Sequence, residues 1–408
     1  MTITREEELA LLDPASYHRS GYPWKTWEKL RREAPVHHID KGNGEAYWVV
    51  TRYQDIVDIE RNAEVFKNGP KLTIGVEGQN GLRMIVGMDP PDHTAHRALA
   101  MPHFGPRNIE WVRRYAEEIV TEAFDKAMAR NGETVDLQDD VANLVPTAVI
   151  SAFVGAPREL WPDIIGWTNQ IINANDPRIA GDQSARDVAG QAVGQMCQFY
   201  AGIFEDRKKN PREDLMTALV NARIHGEPIG QVELFSWGII LMTAGHETTQ
   251  SMFGLGVHAL MQHPGQLARL KANPQLLPSA IEELLRYVSP AVHFCRTPDR
   301  DVEVAGRKIR AGEHLVMFYP SANRDAAVFS EPDTLDIERS PNRHLAFGTG
   351  PHVCLGMHLA RLELKVMFEQ FLQRVETIEA VGEPERVYGI PTGGYKHFPV
   401  RMTVRPKA

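Results

Sequence analysis

The 408-residue chain carries 53 acidic side chains against 45 lysines and arginines, which gives a formal net charge of −8 at pH 7. This balance, without a long basic block, argues against a nucleic-acid partner. The first 24 residues are charged and interrupted by prolines, with no apolar run long enough for a signal peptide or membrane anchor, so a cytoplasmic protein is predicted. Long helical stretches without a linker-like break favour a single domain over residues 1–408, with residues 1–20 as an N-terminal tail.

The three cysteines bear on the cellular compartment. Cys197, Cys295 and Cys354 include no Cys-x-x-Cys pair and cannot all pair with one another, which fits a reducing environment. Cys197 and Cys295 are interpreted as core residues, whereas Cys354 lies in a glycine-rich loop.

The amino-terminal part of the chain begins with short predicted elements. Residues 23–32 and 53–61 have a helical period, and residues 46–51 (AYWVVT) form a β-rich run, so a small sheet region is expected here. Residues 68–91 contain five glycines and have little period of their own. Long irregular segments tend to be lids or binding loops, although a plain surface loop explains the composition equally well.

A helix is predicted after the following proline turn, with Asp92 as its N-cap. His93 and Arg97 are four residues apart, so this helix places both side chains on one face. Two such donors suit a carboxylate ligand, with a solvated helix face as the alternative. His96 and His103 are interpreted as ordinary histidines.

Amphipathic periods predict a succession of helices between residues 107 and 224. The predicted segments are residues 108–129, 140–154, 159–174 and 185–208. Residues 175–184 form a polar interruption between the last two helices. No catalytic motif is recognised in this region.

Residues 231–263 predict one long helix. Apolar residues cover nearly all faces of its first part, as in a helix buried in a large core. The sequence AGHETT at residues 244–249 then interrupts the apolar run with an acid and two hydroxyls. Ala244 and Gly245 are small enough for a flat group to lie against the helix, and Glu247 argues against a membrane span. A polar flaw satisfied within the helix is the alternative.

The next helical segment contains a possible cap and a possible ion pair. Ser279 and Glu282 predict a capping box at its start. Glu283 and Arg286 are three residues apart and can pair, either as an exposed pair of little energetic value or as a buried one.

Two β segments are predicted in the carboxyl-terminal third. The run VHFCRT contains Arg296, and residues 302–318 predict a hairpin with turns at residues 305–306 and 311–312. Together with residues 46–51 they supply the β-rich minority of a mainly helical fold.

Residues 347–356 (FGTGPHVCLG) form the cysteine loop, in which Gly348, Gly350 and Gly356 surround Cys354. Glycine allows positive φ and close backbone approach, so the loop can fold tightly around a bulky planar group. Residues 357–374 are predicted to be helical, and a helix beginning beside Cys354 is expected to favour the thiolate over the thiol. A buried, inert cysteine in a glycine-rich turn is the alternative.

These motifs resemble those of the cytochrome P450 superfamily, the haem-thiolate monooxygenases. Every fixed position of the family pattern Phe-Gly-x-Gly-x-His/Arg-x-Cys-x-Gly matches the cysteine loop, and AGHETT matches Ala/Gly-Gly-x-Asp/Glu-Thr. The resemblance covers nearly the whole chain and implies a mainly α fold with a small β-rich region. It also implies haem b, and no other metal, between the long central helix and the cysteine-containing helix, with residues 68–91 as the substrate-access loop.

The resemblance also assigns roles to individual residues. Cys354 is the implied axial ligand of the haem iron, a thiolate that favours O–O cleavage, while Glu247 and Thr248 are the acid and alcohol of proton delivery. Glu283 and Arg286 are a buried structural pair. The implied cofactor contacts are His93, Arg97, Ala244, Gly245, Arg296, Phe347, Gly348, His352, Cys354 and Gly356. The implied substrate contacts are Ile74, Leu241, Ala244, Val292 and Phe294, with His293, Trp167 and residues 171–172 as further pocket residues.

The implied activity is insertion of one oxygen atom of O₂ into an unactivated C–H bond of an apolar substrate. The electrons are expected from a ferredoxin and an NAD(P)H-dependent reductase, docking near His352, His358, Arg361 and Lys365. Landmark segments such as YPSANRDAAVF and CLGMHLARLELK look most similar to bacterial members that hydroxylate terpenoids and alkyl aromatics, with steroids and fatty acids as open alternatives. A peroxide-driven peroxygenase and a non-catalytic haem sensor are the competing functions, and both would waste the Glu247–Thr248 pair.

Overall fold

A computed structural model describes residues 3–75, 81–130 and 132–404. Its helices are α1 (Arg5–Ala10), α2 (Pro14–Ser20), α3 (Trp24–Glu33), α4 (Tyr53–Arg61), α5 (Asp92–Phe104), α6 (Glu110–Ala129), α7 (Leu144–Val154), α8 (Trp161–Ile172), α9 (Pro177–Ala180), α10 (Ala185–Lys209), α11 (Leu215–Val220), α12 (Gln231–Gln262), α13 (Pro264–Ala272), α14 (Leu277–Val288), α15 (Tyr319–Ala322) and α16 (Met357–Arg374). Short 3₁₀ turns lie at Ile85–Gly87, Arg158–Leu160, Pro274–Leu276 and Gly350–His352, and a π-helical turn lies at Gln138–Ala142. Its strands are β1 (Val36–Asp40), β2 (Ala46–Val50), β3 (Phe66–Lys67), β4 (Thr134–Asp136), β5 (Arg223–Ile224), β6 (Glu227–Pro228), β7 (His293–Pro298), β8 (Val302–Val304), β9 (Arg307–Ile309), β10 (His314–Phe318), β11 (Val375–Ala380), β12 (Glu385–Arg386), β13 (Tyr395–His397) and β14 (Pro399–Val404).

The helices that frame the interior follow the sequence periods closely. Helices α4 and α16 have the predicted bounds, and α12 ends one residue before the predicted end. The largest apolar core cluster draws buried side chains from α6, α7, α12, α14 and α16. Within the described ranges, no helix is both long and apolar enough to span a bilayer.

Three local predictions are wrong. Residues 1–20 contain α1 and α2 instead of the expected tail, and Thr4 and Asp13 are the N-caps of these helices. The segment is ordered against the core because Leu11, Leu12 and Tyr17 are buried. Asp92 is the first residue of α5 and not its cap, which is Pro91 without a side-chain hydrogen bond.

The third error concerns the capping box of α14. Ser279 lies inside that helix and its hydroxyl donates to the carbonyl of Leu276. Glu282 instead accepts two hydrogen bonds from Arg361 on α16, at 2.6 and 2.8 Å. The Glu282 carboxylate, which the local pattern assigned to a helix cap, therefore forms an ion pair with a residue distant in sequence.

The principal sheet has five strands in the order β1-β2-β10-β7-β3. Strands β1 and β2 are antiparallel, β2 and β10 are parallel, and β10 and β7 are antiparallel. Amino-terminal and carboxyl-terminal segments thus share one sheet. The hairpin of β8 and β9 turns at Ala305 and Gly306, both with positive φ, as predicted. The rest of the predicted hairpin differs, because β10 pairs with β2 and β7.

The Glu283–Arg286 pair lies on the buried face of α14, with both side chains fully excluded from solvent. Two hydrogen bonds of 2.7 and 2.8 Å join them. Arg286 also donates to the carbonyls of Asn323, Pro332 and Thr334. The pair therefore binds α14 to the segment that leads towards the cysteine loop.

Candidate active site

A cavity of about 270 Å³ lies between α12 and the cysteine loop. One face of α12 forms a wall of it, through Trp237, Ile240, Leu241, Ala244, Gly245, Thr248, Thr249 and Met252. The spacing of three or four residues is that of one helix face. Ala244 is exposed although α12 runs through the core, because its methyl group faces this cavity.

The cysteine loop folds back on itself so that Cys354 lines the cavity. The amide of Cys354 donates to the carbonyl of Phe347 at 2.9 Å, and α16 begins directly after Gly356. Burial raises the pKa of the Cys354 thiol, against the opposing effects of the Gly356 amide and Arg97. The Gly356 amide at the start of α16 lowers the pKa of this thiol, as expected, but desolvation outweighs it and the pKa lies above its ordinary value.

Phe347 is held by a cation on α16. The Arg361 guanidinium lies 4.5 Å from the centre of the Phe347 ring and pairs with Glu282. Of the four side chains considered for partner docking, Arg361 is thus already paired, and Lys365 lies 3.7 Å from Glu369.

Four of the predicted cofactor contacts, His93, Arg97, Arg296 and His352, all line the cavity. The His93 and His352 rings lie 3.8 Å apart between centres, and Arg97 donates to the Val353 carbonyl at 2.6 Å. Burial lowers the pKa of His93 to about 4 and that of His352 to about 2. Both rings are therefore neutral near pH 7, and the positive charge of the group resides on the two arginines.

Two buried polar atoms of the cavity region bear on whether the site fits the implied cofactor. His93 Nδ1 and Asn68 Oδ1 have no hydrogen-bond partner among the described residues. Buried polar atoms normally have one. With two guanidinium groups, a flat wall at Ala244 and Gly245 and a thiol, the site fits a planar, carboxylate-bearing group with a sulfur-ligated metal.

Glu247 and Thr248 occupy different faces of α12. Thr248 lines the cavity and its hydroxyl donates to the Ala244 carbonyl at 3.0 Å. Glu247 is 2 % exposed and does not line the cavity. Burial raises the pKa of the Glu247 carboxyl to about 7, so this group can gain and lose a proton in the physiological range.

Several predicted pocket residues lie elsewhere. Ile74 and Val292 do not line the cavity but belong to a separate apolar core near the amino-terminal helices. His293 accepts a hydrogen bond from the Ile74 amide and also contacts the Ile390 carbonyl, which turns its ring away from the cavity. Trp167 and Ile171 pack against the main core.

Leu241, Ala244 and Phe294 do line the cavity. Residues 76–80 of the predicted access loop lie outside the described residues, whereas Leu72, Ile85 and Val86 on either side of them reach the cavity wall.

Two buried acids of this cavity are absent from the sequence predictions. Glu60 on α4 and Glu363 on α16 are 4 % and 2 % exposed and line the wall. Each falls on the apolar face of its helix, since Glu60 follows Ile56 by four residues and Glu363 follows Leu359 by four. An acidic residue on the apolar face of a helix was therefore the sequence signal that could have identified these two residues.

Comparison with known proteins identifies the family of the chain. The cytochrome P450 family model matches residues 17–388. Cytochrome P450-terp of a Pseudomonas species is 32% identical, with 98% of each chain covered, and linalool 8-monooxygenase of Pseudomonas putida is 32% identical over 93% of this chain and 95% of its own. The crystal structure of CYP108D1 from Novosphingobium aromaticivorans superposes with a TM-score of 0.88, at 34% identity over 99% of this chain and 100% of that one. The predicted fold class is confirmed, and the chain belongs to the cytochrome P450 family of haem b monooxygenases.

Proposed function

We propose that this cytochrome P450 hydroxylates an apolar small molecule, with terpenoids and alkyl aromatics favoured over steroids and fatty acids. The observation that supports this most is the apolar wall of the cavity, formed by Leu72, Ile85, Val86, Phe104, Ile150, Ile240, Leu241 and Phe294. Trp237 contributes only apolar ring surface to this wall, because its one polar group, the indole N–H, donates to His96 at 3.1 Å.

The cations of the cavity argue against a fatty acid. A substrate carboxylate needs a positively charged or hydrogen-bonding partner. Arg296 pairs with Glu60 at 3.1 Å, and Arg97 donates to the Val353 carbonyl. These two side chains are also the proposed ligands of the haem carboxylates, so neither is free for a substrate acid. The names of two relatives, cytochrome P450-terp and linalool 8-monooxygenase, point in the same direction.

The haem, when bound, supplies reductive activation of O₂ and transfer of one oxygen atom to a C–H bond. Overall, O₂, two electrons, two protons and the substrate give the alcohol and water. We assign Cys354 as the iron ligand, His93, Arg97, Arg296 and His352 as the groups that hold the haem carboxylates, and the apolar wall as the means of excluding water.

The substrate class is testable by spectral titration. A panel of monoterpenoids, alkyl benzenes, sterols and fatty acids is added to the haem-loaded protein, and the shift of the Soret band is recorded. We expect saturable shifts with the first two classes at lower concentrations than with the last two. Tighter binding of a fatty acid than of every terpenoid and alkyl benzene contradicts the proposal.

Thr248→Ala is expected to uncouple electron consumption from hydroxylation. Thr248 lines the cavity, where its hydroxyl can order a proton donor, and its loss leaves the other lining residues in place. NADH consumption should continue, with much of it diverted to hydrogen peroxide and an unchanged carbon monoxide spectrum. Thr249→Ala is the matched control and should be comparatively mild. Fully coupled product formation by Thr248→Ala is the contrary result.

The pH dependence of turnover is expected to report on Glu247. A carboxyl whose pKa burial raises to about 7 is protonated below that pH and ionised above it. General acid–base groups of this kind are worth about 10²- to 10⁴-fold in rate. The wild-type rate should change through an inflection near pH 7, and Glu247→Gln should be slower with this inflection removed. An identical inflection in Glu247→Gln assigns it to another group.

The redox partners proposed are a ferredoxin and an NAD(P)H-dependent reductase. NADH-linked product formation that requires both proteins supports this, whereas product formed equally well from hydrogen peroxide alone favours a peroxygenase. A cytoplasmic location completes the proposal, since all three cysteines are free thiols, as in reducing compartments.

A further inference from the structure

The acid Glu60 lies where the end of α4 meets the cysteine loop. Its Oε1 accepts from the Arg296 guanidinium at 3.1 Å and from the Tyr319 hydroxyl at 2.7 Å. Its Oε2 accepts from the Thr349 amide, inside the cysteine loop, at 2.9 Å. Glu60 is 4 % exposed and Arg296 3 %, so three separate segments meet at one carboxyl group away from solvent.

All three partners of Glu60 are hydrogen-bond donors, and one of them is a permanently charged guanidinium. A protonated carboxyl would need an acceptor for its hydrogen, which neither the guanidinium nor the amide N–H can be, and the Tyr319 hydroxyl could accept it only by giving up the hydrogen bond that it donates to Glu60. Burial raises the pKa of Glu60, and Arg296, Tyr319 and the Thr349 amide oppose that rise. The geometry therefore describes an ionised carboxylate that offsets the charge of Arg296.

Two glycines allow the loop to approach this acid closely. Gly348 and Gly350 have φ of +66° and +68°, a region that favours glycine. A Cβ atom on Gly350 would lie 2.5 Å from the Glu60 carbonyl oxygen. The loop is therefore shaped to lie on the end of α4, with Glu60 as its hydrogen-bonding contact.

We propose that Glu60 is a positioning residue of the haem site, which joins Arg296 to the cysteine loop and balances the arginine charge beside the haem carboxylates. The proposal rests on the assignment of Arg296 to a haem carboxylate. It gives Glu60 two separable effects, one that depends on its length and one that depends on its charge. Length decides how firmly the loop and Arg296 are held, and therefore how fast haem is released. Charge decides the local field, and therefore the reduction potential.

Two substitutions in the holoprotein separate these effects. Glu60→Gln keeps the length but removes the charge and one of the two acceptor atoms, so the uncompensated Arg296 should favour the reduced haem. We expect the equilibrium constant of one-electron reduction to rise about tenfold, which corresponds to about 59 mV. Glu60→Asp keeps the charge but cannot reach all three partners, so it should release haem to an apoprotein acceptor several-fold faster with a nearly unchanged potential.

Glu64→Gln is the matched control. Glu64 lies four residues further along, its side chain is 85% exposed, and its removal changes the net charge by the same amount. It should alter neither the potential nor the haem release rate. If Glu60→Gln and Glu60→Asp both behave like Glu64→Gln, the proposal is overturned.

Arg296→Lys distinguishes failure of this proposal from failure of its premise. Suppose that Arg296→Lys releases haem faster than the wild type, whereas the two Glu60 variants release it at the wild-type rate. Arg296 is then still a ligand of a haem carboxylate, and the proposed role of Glu60 is wrong. If all three variants release haem at the wild-type rate, both the assignment of Arg296 to a haem carboxylate and the role of Glu60 are wrong. If Glu60→Gln yields no holoprotein, haem release from Glu60→Asp decides alone, with release at the Glu64→Gln rate as the contrary result.

Discussion

Cys354→Ala should abolish the red-shifted Soret band that reduced, carbon monoxide-treated protein of this family shows. Cys354 is the cysteine that lines the cavity, on a loop folded back by the hydrogen bond from the Cys354 amide to the Phe347 carbonyl. An alanine methyl group cannot coordinate iron. Because burial raises the pKa of the Cys354 thiol, we also expect metal coordination, and not the protein environment, to drive its deprotonation.

The other two cysteines provide the controls for this experiment. Cys197 packs against the main core and Cys295 is fully buried in β7, where burial raises its pKa to about 12. Cys197→Ala and Cys295→Ala should therefore keep the band. Native, haem-loaded protein with the spectrum of a histidine-ligated haem would show that the ligand assignment is wrong.

Glu283→Ala should yield little soluble, haem-loaded protein. Removal of one partner from a buried ion pair costs about 3 to 5 kcal/mol, because the remaining charge is left uncompensated. The loss here extends beyond Arg286, since Glu283 also accepts from the Asp336 amide, Arg339 and Asn342. The measurements are soluble yield, haem content and the midpoint of thermal unfolding.

Glu205→Ala is a suitable control for the Glu283 experiment. Glu205 and Lys209 form a helical pair on α10 with both side chains 75% exposed, and exposed pairs contribute little to stability. This variant should match the wild type in yield and haem content. Normal yield and haem content in Glu283→Ala would mean that the buried pair is dispensable.

Local sequence signals predicted the elements that depend on local interactions. The periods of α4, α12 and α16 gave their bounds closely, and the cysteine loop could be recognised because its glycines and Cys354 are adjacent in sequence. The substrate contacts were less predictable, since Ile74 and Val292 occupy a second core whose position depends on packing between distant segments. Glu282 and Glu60 show the same limit, because their partners Arg361 and Arg296 lie 79 and 236 residues away.

The strand order of the principal sheet has a consequence for synthesis of the chain. Strand β2 pairs in parallel with β10, from Tyr47 opposite His314 to Val50 opposite Met317. At about 5 to 20 residues per second, the ribosome needs roughly 10 to 50 s to add the intervening residues. During that interval the free edge of β2, with Val49 and Val50 that are buried in the folded protein, can pair with other chains. A nascent chain that stalls before residue 318 therefore exposes an aggregation-prone edge, which the complete protein covers with its own later strand.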